Sequence, residues 1–454
     1  MPLHRASRST HPVGIFNRPG GSSCGGRLRE WAAQPYVPIR FSRPAPASDS
    51  PQDDAGRRGC EIAGLILALA SLAAWLKLWL AQGRFWEAVT APAAPPPAEW
   101  PGVVVVIPAR NEAEGIGAAV GSHLRQAYPG RLRVVVVDDQ STDGTADLAR
   151  AAAEAAGAPD RLTVISGAPL PSGWVGKMWA VSQGVAAAER LEPEARWILL
   201  TDGDIVHRPN NLAQLVARGE TDGLDLVSLM VRLRCLDFAE RWLVPPFVFF
   251  FKMLYPFAWV NRADKATAGA AGGCMLVRRE ALARIGGIAA IRDALIDDCT
   301  LAAALKRHGQ IRLDLTDEAE SLRVYGDVGE IWRMVARTAY TQLRYSPLLL
   351  LGTVAGLIVT YVAPPALTIL GEGAARYVAL AAWAIMSATY LPMLRFYRRS
   401  PLWAPFLPLA AVVYLGATID SARRHWAGVG GAWKGRVYDQ PGASLSRQPS
   451  DPSP

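Results

Sequence analysis

Two apolar runs in this chain end abruptly in carboxylates. Val134 to Val137 leads into Asp138 and Asp139, and Trp197 to Leu200 is followed closely by Asp202 and Asp204. Uninterrupted aliphatic runs of this length read as strands buried on both faces, the habit of parallel sheets covered by helices. Ligands of such sheets sit just beyond the carboxyl ends of strands, so the four acids mark a cleft. A cleft of this kind suits a metal-bound nucleotide diphosphate.

From Val103 to about Arg323 short apolar runs alternate with helix-like segments, which predicts an α/β fold of βαβ units around a mostly parallel sheet with flanking helices. Val103–Ile107, Leu132–Val137, Leu162–Ile165 and Trp197–Thr201 are the expected strands. Ile116, Ala119, Val120, His123, Leu124 and Ala127 fall at helical spacing, and 146–156 is alanine-rich with high helix propensity.

A chain of 454 residues exceeds one ordinary domain, and its 50% apolar content is unevenly spread. Ile62–Ala81 is apolar except for Lys77 and lies too far from the N-terminus for a signal peptide, so it reads as a retained anchor. Three further windows of spanning length run roughly 348–370, 375–394 and 402–419, which makes this a multi-pass membrane protein with α-helical transmembrane segments. The expected organisation is a disordered Pro-, Gly-, Ser- and Arg-rich tail over 1–60, a membrane helix over 61–82 and a Pro-rich linker over 83–100. After these come a catalytic domain over 101–345, three membrane segments over 346–420 and a tail over 421–454. Leu243–Val260 is apolar and aromatic but interrupted by Pro245, Pro246, Lys252 and Pro256, which predicts an interfacial or core segment and not a spanning helix.

The net charge of +8 gathers in the N-terminal tail and beside the membrane windows, where orientation and anionic lipid explain it; no nucleic-acid partner is expected. Arg395, Arg398 and Arg399 between the last two windows place that loop, and with it the catalytic domain, in the cytoplasm by the positive-inside rule. Five cysteines without CxxC or zinc-ligand spacing read as free thiols.

The chemistry-bearing residues follow strand exits. Ala109, Arg110, Asn111 and Glu112 leave the first strand, where they meet a base and ribose or simply start a helix. Asp202 and Asp204 lie at i and i+2 on extended backbone and so point the same way, an oxygen-rich pair for Mg²⁺ or Mn²⁺. Lys177 precedes a helix-like stretch and can approach a diphosphate. No G-x-G-x-x-G follows a strand, which disfavours dinucleotide redox chemistry. Asp297 and Asp298 open a helix whose Leu301 and Leu305 face inward; they either complement its dipole or raise one pKa enough to act as a general base. The segment Arg337–Tyr345, with Arg344, lies just before the first C-terminal window and either reaches a diphosphate from the membrane side or anchors the interface.

In this order the motifs resemble the family-2 glycosyltransferases, whose fold is GT-A, over residues 100–345. The resemblance implies nucleotide contacts at Ala109 to Glu112, Asp138 and Asp139, and Lys177 near the sugar nucleotide. It further implies a metal- and diphosphate-binding pair at Asp202 and Asp204, and a catalytic base at Asp298 beside Asp297, which stands where the family has glutamate. The Q-x-x-R-W signature of processive synthases keeps only Arg344, with Thr341 and Tyr345 at the glutamine and tryptophan positions. Phe247–Val260, Gly272–Arg278, Ala294–Cys299 and Ile331–Arg344 are similar to glycosyltransferases associated with bacterial hopanoid biosynthesis. That similarity implies inverting transfer from a nucleotide-sugar donor to a hopanoid-type lipid acceptor at the bacterial inner membrane. A processive polysaccharide synthase and a non-catalytic nucleotide- or lipid-binding membrane protein are the alternatives.

Overall fold

The computed structural model describes residues 51–428, 432–433 and 436–437. The chain divides into Met1–Asp54 and Ala55–Pro454, and the sheet and the site belong to the second unit. Cys24 and most of the expected N-terminal tail lie outside the described residues, as does most of the C-terminal tail.

Eight strands, β1 (Val103–Ala109), β2 (Leu132–Asp138), β3 (Leu162–Ser166), β4 (Trp197–Leu200), β5 (Ile205–His207), β6 (Leu226–Arg232), β7 (Met275–Arg278) and β8 (Ile311–Ser321), form one sheet. Their order is β3-β2-β1-β4-β7-β6-β8-β5. β3, β2, β1 and β4 are parallel, β7 runs against both β4 and β6, and β8 is parallel to β6 and antiparallel to β5. Only β7 and β5 therefore reverse the common direction, and the fold is α/β with helices on both faces.

The valine runs explain the layering. Val104, Val106, Val135, Val137, Ile198 and Leu200 pack into one core, while Val103, Val105, Ile107, Val134, Val136, Trp197 and Leu199 pack into the other. Period-two alternation with both faces apolar leaves no polar side, and each such buried side chain contributes about 1.5–3 kcal/mol. Register then aligns the strand ends: Ala109 pairs with Asp138, and Val106 with Leu200. The helix Gly176–Leu191 seats directly on this surface because a Cβ at Gly184 would collide with Val106. That close seating holds Lys177 above the exit of β4.

Among the described residues five helices are long and apolar enough to cross a membrane: Arg57–Ala81, Phe238–Val260, Pro347–Leu370, Gly373–Phe396 and Pro401–Trp426. The second covers the proline-interrupted segment. Leu243–Val260 was expected at the interface or in the core, and Leu243, Val244, Val248 and Phe249 do join the core, on one helix, Phe238–Leu254, that runs through Pro245 and Pro246. Proline forfeits its own backbone donor, and packing by neighbouring helices offsets that loss. Here 56% of the apolar window is buried, with Phe249 against Phe85 and Tyr390 and Phe250 against Tyr361 and Tyr414. The first helix also differs from expectation, since it runs Pro51–Ala81 and takes in residues 51–60 of the expected tail. The Pro-rich linker is docked on the sheet domain: Ala94 N–H donates to Gln214 Oε1 at 2.9 Å, and Arg218 donates to the Pro92 carbonyl.

Candidate active site

The exits of β1 and β2 are braced against each other by alternating backbone and side-chain bonds. Asp139 N–H donates to the Ala109 carbonyl at 2.8 Å, and Arg110 Nη1 returns to the Asp139 carbonyl at 2.6 Å. Asn111, at φ 50°, accepts from Thr142 N–H at 2.9 Å and donates its own N–H to Ser141 Oγ at 3.0 Å. Asparagine tolerates this left-handed conformation better than most residues. Glu112 N–H donates to Thr145 Oγ1 and Ala113 N–H to Asp143 Oδ2, each at 3.0 Å. Asp138 accepts from Ser141 N–H at 3.1 Å, closing the turn that carries this network. The predicted residues 109–112, 138 and 139 are thus brought into one rim. Ser141, Asp143 and Thr145 build that rim and went unread, although their Asp, Ser and Thr at turn spacing are a signal for backbone-capping side chains.

Across the sheet the second group converges on Lys177. Its Nζ lies 2.9 Å from Asp202 Oδ1 and 3.2 Å from Asp297 Oδ2. Burial opposes the lysine charge, but Asp202 and Asp297 outweigh burial and hold its pKa above the ordinary value. Burial raises Asp202; Lys177 pulls it back, and Asp204 and Asp297 add to the rise. Asp204 Oδ2 accepts from Ser321 Oγ at 2.7 Å, a bond set by the pairing of Ile205 with Ser321. Ser321 carried no motif, and only β5–β8 pairing reveals it.

Asp298 is held by backbone. Gly272 N–H donates to its Oδ2 at 3.0 Å and Cys299 N–H to its Oδ1 at 2.7 Å. Burial, and then repulsion from Asp297, push its pKa up to about 6 against these bonds. The two acids therefore differ: Asp297 is paired with Lys177, whereas Asp298 is held by two backbone N–H groups with its pKa raised. The glycine-rich run at Gly272 brings backbone to this carboxylate.

A cavity of about 570 Å³ opens from Asp202 and Asp204 toward the C-terminal helices. Arg323, Arg333, Arg337 and Arg424 line it, together with Thr341 and Tyr345. Arg344 is exposed at φ 52°, between two residues that line the cavity.

Among the described residues no group of three or more His, Cys, Asp or Glu side chains is arranged to hold a metal ion. Asp202 and Asp204 nonetheless fit Mg²⁺ or Mn²⁺, because Mg²⁺ is commonly held by one or two carboxylates with phosphate oxygens and water completing its shell. His207 is no ligand: its Nδ1 lies 2.7 Å from Asn211 Nδ2 and its ring packs 4.4 Å from that of His123.

Residues 104–286 match the family model of Glycosyl transferase family 2. The succinoglycan biosynthesis protein ExoO of Rhizobium meliloti (strain 1021) is 34% identical over 156 residues, covering 32% of this chain and 40% of that protein. The chain thus spans well under half the length of that relative. Among solved structures, the mannosyltransferase PcManGT from Pyrobaculum calidifontis, in complex with GDP-Man and Mn²⁺, is 22% identical with a TM-score of 0.49, covering 81% of this chain and 98% of that one. Glucosyl-3-phosphoglycerate synthase from Mycobacterium tuberculosis, in complex with Mg²⁺ and uridine-diphosphate, is 20% identical with a TM-score of 0.36, covering 54% and 79%. The segment 104–286 is thus similar to glycosyl transferase family 2 domains, in a chain whose described residues include five helices apolar enough to cross a membrane.

Proposed function

We propose that this chain is an inverting, metal-dependent glycosyltransferase of the bacterial inner membrane that moves a sugar from a nucleotide-sugar to a lipid acceptor of the hopanoid type. The catalytic domain occupies roughly 101–345 and faces the cytoplasm. The observation that carries this reading is the convergence of Asp202, Lys177 and Asp297 within ion-pair distance, with Asp298 on the adjoining residue. That arrangement separates a site for a leaving diphosphate from a base.

Residues 109–112, 138 and 139 would receive the nucleoside, and Arg344 would meet the donor from the membrane side. Asp202 and Asp204 would hold Mg²⁺ or Mn²⁺, which when bound neutralises diphosphate charge. Lys177 adds a fixed positive charge on the same side. Asp298 accepts the proton of an acceptor hydroxyl as that oxygen bonds to the anomeric carbon and the bond to the diphosphate breaks. A carboxylate with pKa near 6 is mostly ionised at neutral pH yet more basic than an ordinary aspartate, which suits it to this task. The apolar helices beside the cavity bring a lipid acceptor to a soluble donor.

Membranes bearing the chain should transfer label from a nucleotide-sugar into the lipid fraction only with Mg²⁺ or Mn²⁺, and a deletion strain should lack the corresponding glycolipid by mass spectrometry. An unchanged lipid profile together with no labelled lipid would remove the lipid acceptor from the account.

A further inference from the structure

The cavity beside Asp202 and Asp204 has a wall that the steps above do not use. Arg333 and Arg337 come from the helix Val328–Ala336 and its C-cap; both are exposed and both line the cavity. Spaced i and i+4, they lie on one helix side. Trp332, the next residue around, points instead to the last apolar helix. There its Nε1 donates to Asp420 Oδ2 at 3.0 Å, and its ring lies so close to Gly416 that a Cβ would collide with it.

Asp420 sits within the apolar helix Pro401–Trp426, where an ionisable group is costly unless it is partnered and used. Its side chain is 12% exposed and accepts from Arg423 Nη2 at 2.7 Å and from Arg424 Nε at 2.7 Å. One carboxylate therefore gathers the helix that bears Arg333 and Arg337 together with Arg424, which lines the same cavity. A second tie lies beside it, where Ser421 Oγ accepts from Tyr340 N–H at 3.0 Å. The lining holds the acids Asp202, Asp204 and Glu330 against four arginines, with Arg323 the fourth. Guanidinium groups present forked donors matched to phosphate oxygens.

We propose that Asp420 is a positioning residue for the donor's diphosphate: from the last apolar helix it fixes Val328–Ala336 so that Arg333 and Arg337 form the cationic wall of a site whose other wall is Asp202 and Asp204. This rests on the nucleotide-sugar reading above. Asp420 touches no ligand itself and acts through the arginines. Trp332 is the link, and Gly416 is the space that lets the link form.

The test is a double-mutant cycle on the full chain in nanodiscs, titrating UDP and GDP, each with Mg²⁺, by calorimetry. Asp420→Asn and the pair Arg333→Gln with Arg337→Gln should each weaken binding of the recognised diphosphate about tenfold, and their combination should be little weaker than the arginine pair alone, since the coupled effects share one route. Trp332→Phe, which removes the N–H donor and the part of the ring that packs on Gly416, should weaken binding several-fold and carries the comparison where Asp420→Asn fails to fold. Wild-type affinity in Asp420→Asn or Trp332→Phe, or a full additional tenfold loss on top of the arginine pair, overturns the positioning role. Wild-type protein that binds neither UDP nor GDP overturns the donor reading, and the positioning role falls with it.

Discussion

The two sides of the cleft are held in different ways. The rim at residues 109–113 and 138–145 is braced by backbone groups and short polar side chains, on strands whose register is locked by two apolar faces. The wall at residues 328–345 is tied to the last apolar helix chiefly through side chains: Trp332 to Asp420, Tyr340 N–H to Ser421, and the rings of Tyr340 and Tyr345 against His425. A backbone-braced rim tolerates changes in side chain and keeps its shape, whereas a wall held by side chains inherits its position from the membrane helices. Under the proposed function, the nucleoside side of the site is built into the sheet and the arginine wall depends on the apolar helices.

Substitutions that separate the two sides sharpen this contrast. The largest effect is expected at the shared centre: Asp202→Ala should lower kcat/KM roughly 10²–10³-fold in steady-state transfer assays and abolish the Mg²⁺ dependence of nucleoside diphosphate binding. Lys177→Met leaves Asp202 and Asp297 facing each other without their common partner. It should lower stability by about 1–3 kcal/mol in thermal unfolding, the scale of a hydrogen bond to a charged group. On the rim, Thr145→Ala removes the acceptor for Glu112 N–H, and calorimetry should register about 1–2 kcal/mol with little change in the cavity wall.

The smallest effect is a displacement of the pH profile. Asp298 must be ionised to accept a proton, so turnover should rise with pH through about 6. Asp297→Asn removes the neighbouring charge that raises this pKa, so its acidic limb should move to lower pH. A limb that moves upward would mean that Asp297 lowers the pKa of the base.

The legible part of this molecule is the part governed by local pattern. Long valine runs announce β1, β2 and β4 because both faces are apolar, and the acids at their ends follow from chain direction alone. β5 has three residues and β8 mixes apolar and charged ones in IRLDLTDEAES, so neither stands out, and Ser321 could be matched to Asp204 only through their pairing. That Phe238–Leu254 runs as one helix through its prolines was not legible, because prolines are local signals while the helices that enclose it are not. Of the cavity wall, Arg337 falls in the segment expected to reach a diphosphate, but Arg333 and its tie through Trp332 were unreadable, since nothing near Arg333 in sequence indicates Asp420, 87 positions on.

The central claim is a division of labour in which Asp202 and Asp204 hold the donor and Asp298 performs proton transfer. Asp298→Asn keeps the size of the side chain and one of its two backbone bonds while removing basicity, so a paired measurement of nucleotide affinity and single-turnover rate tests it directly. The account predicts wild-type affinity for the nucleotide-sugar with a rate reduced roughly 10³-fold, the scale of general base catalysis. An unchanged rate, or a loss of donor affinity equal to the loss of rate, would contradict it.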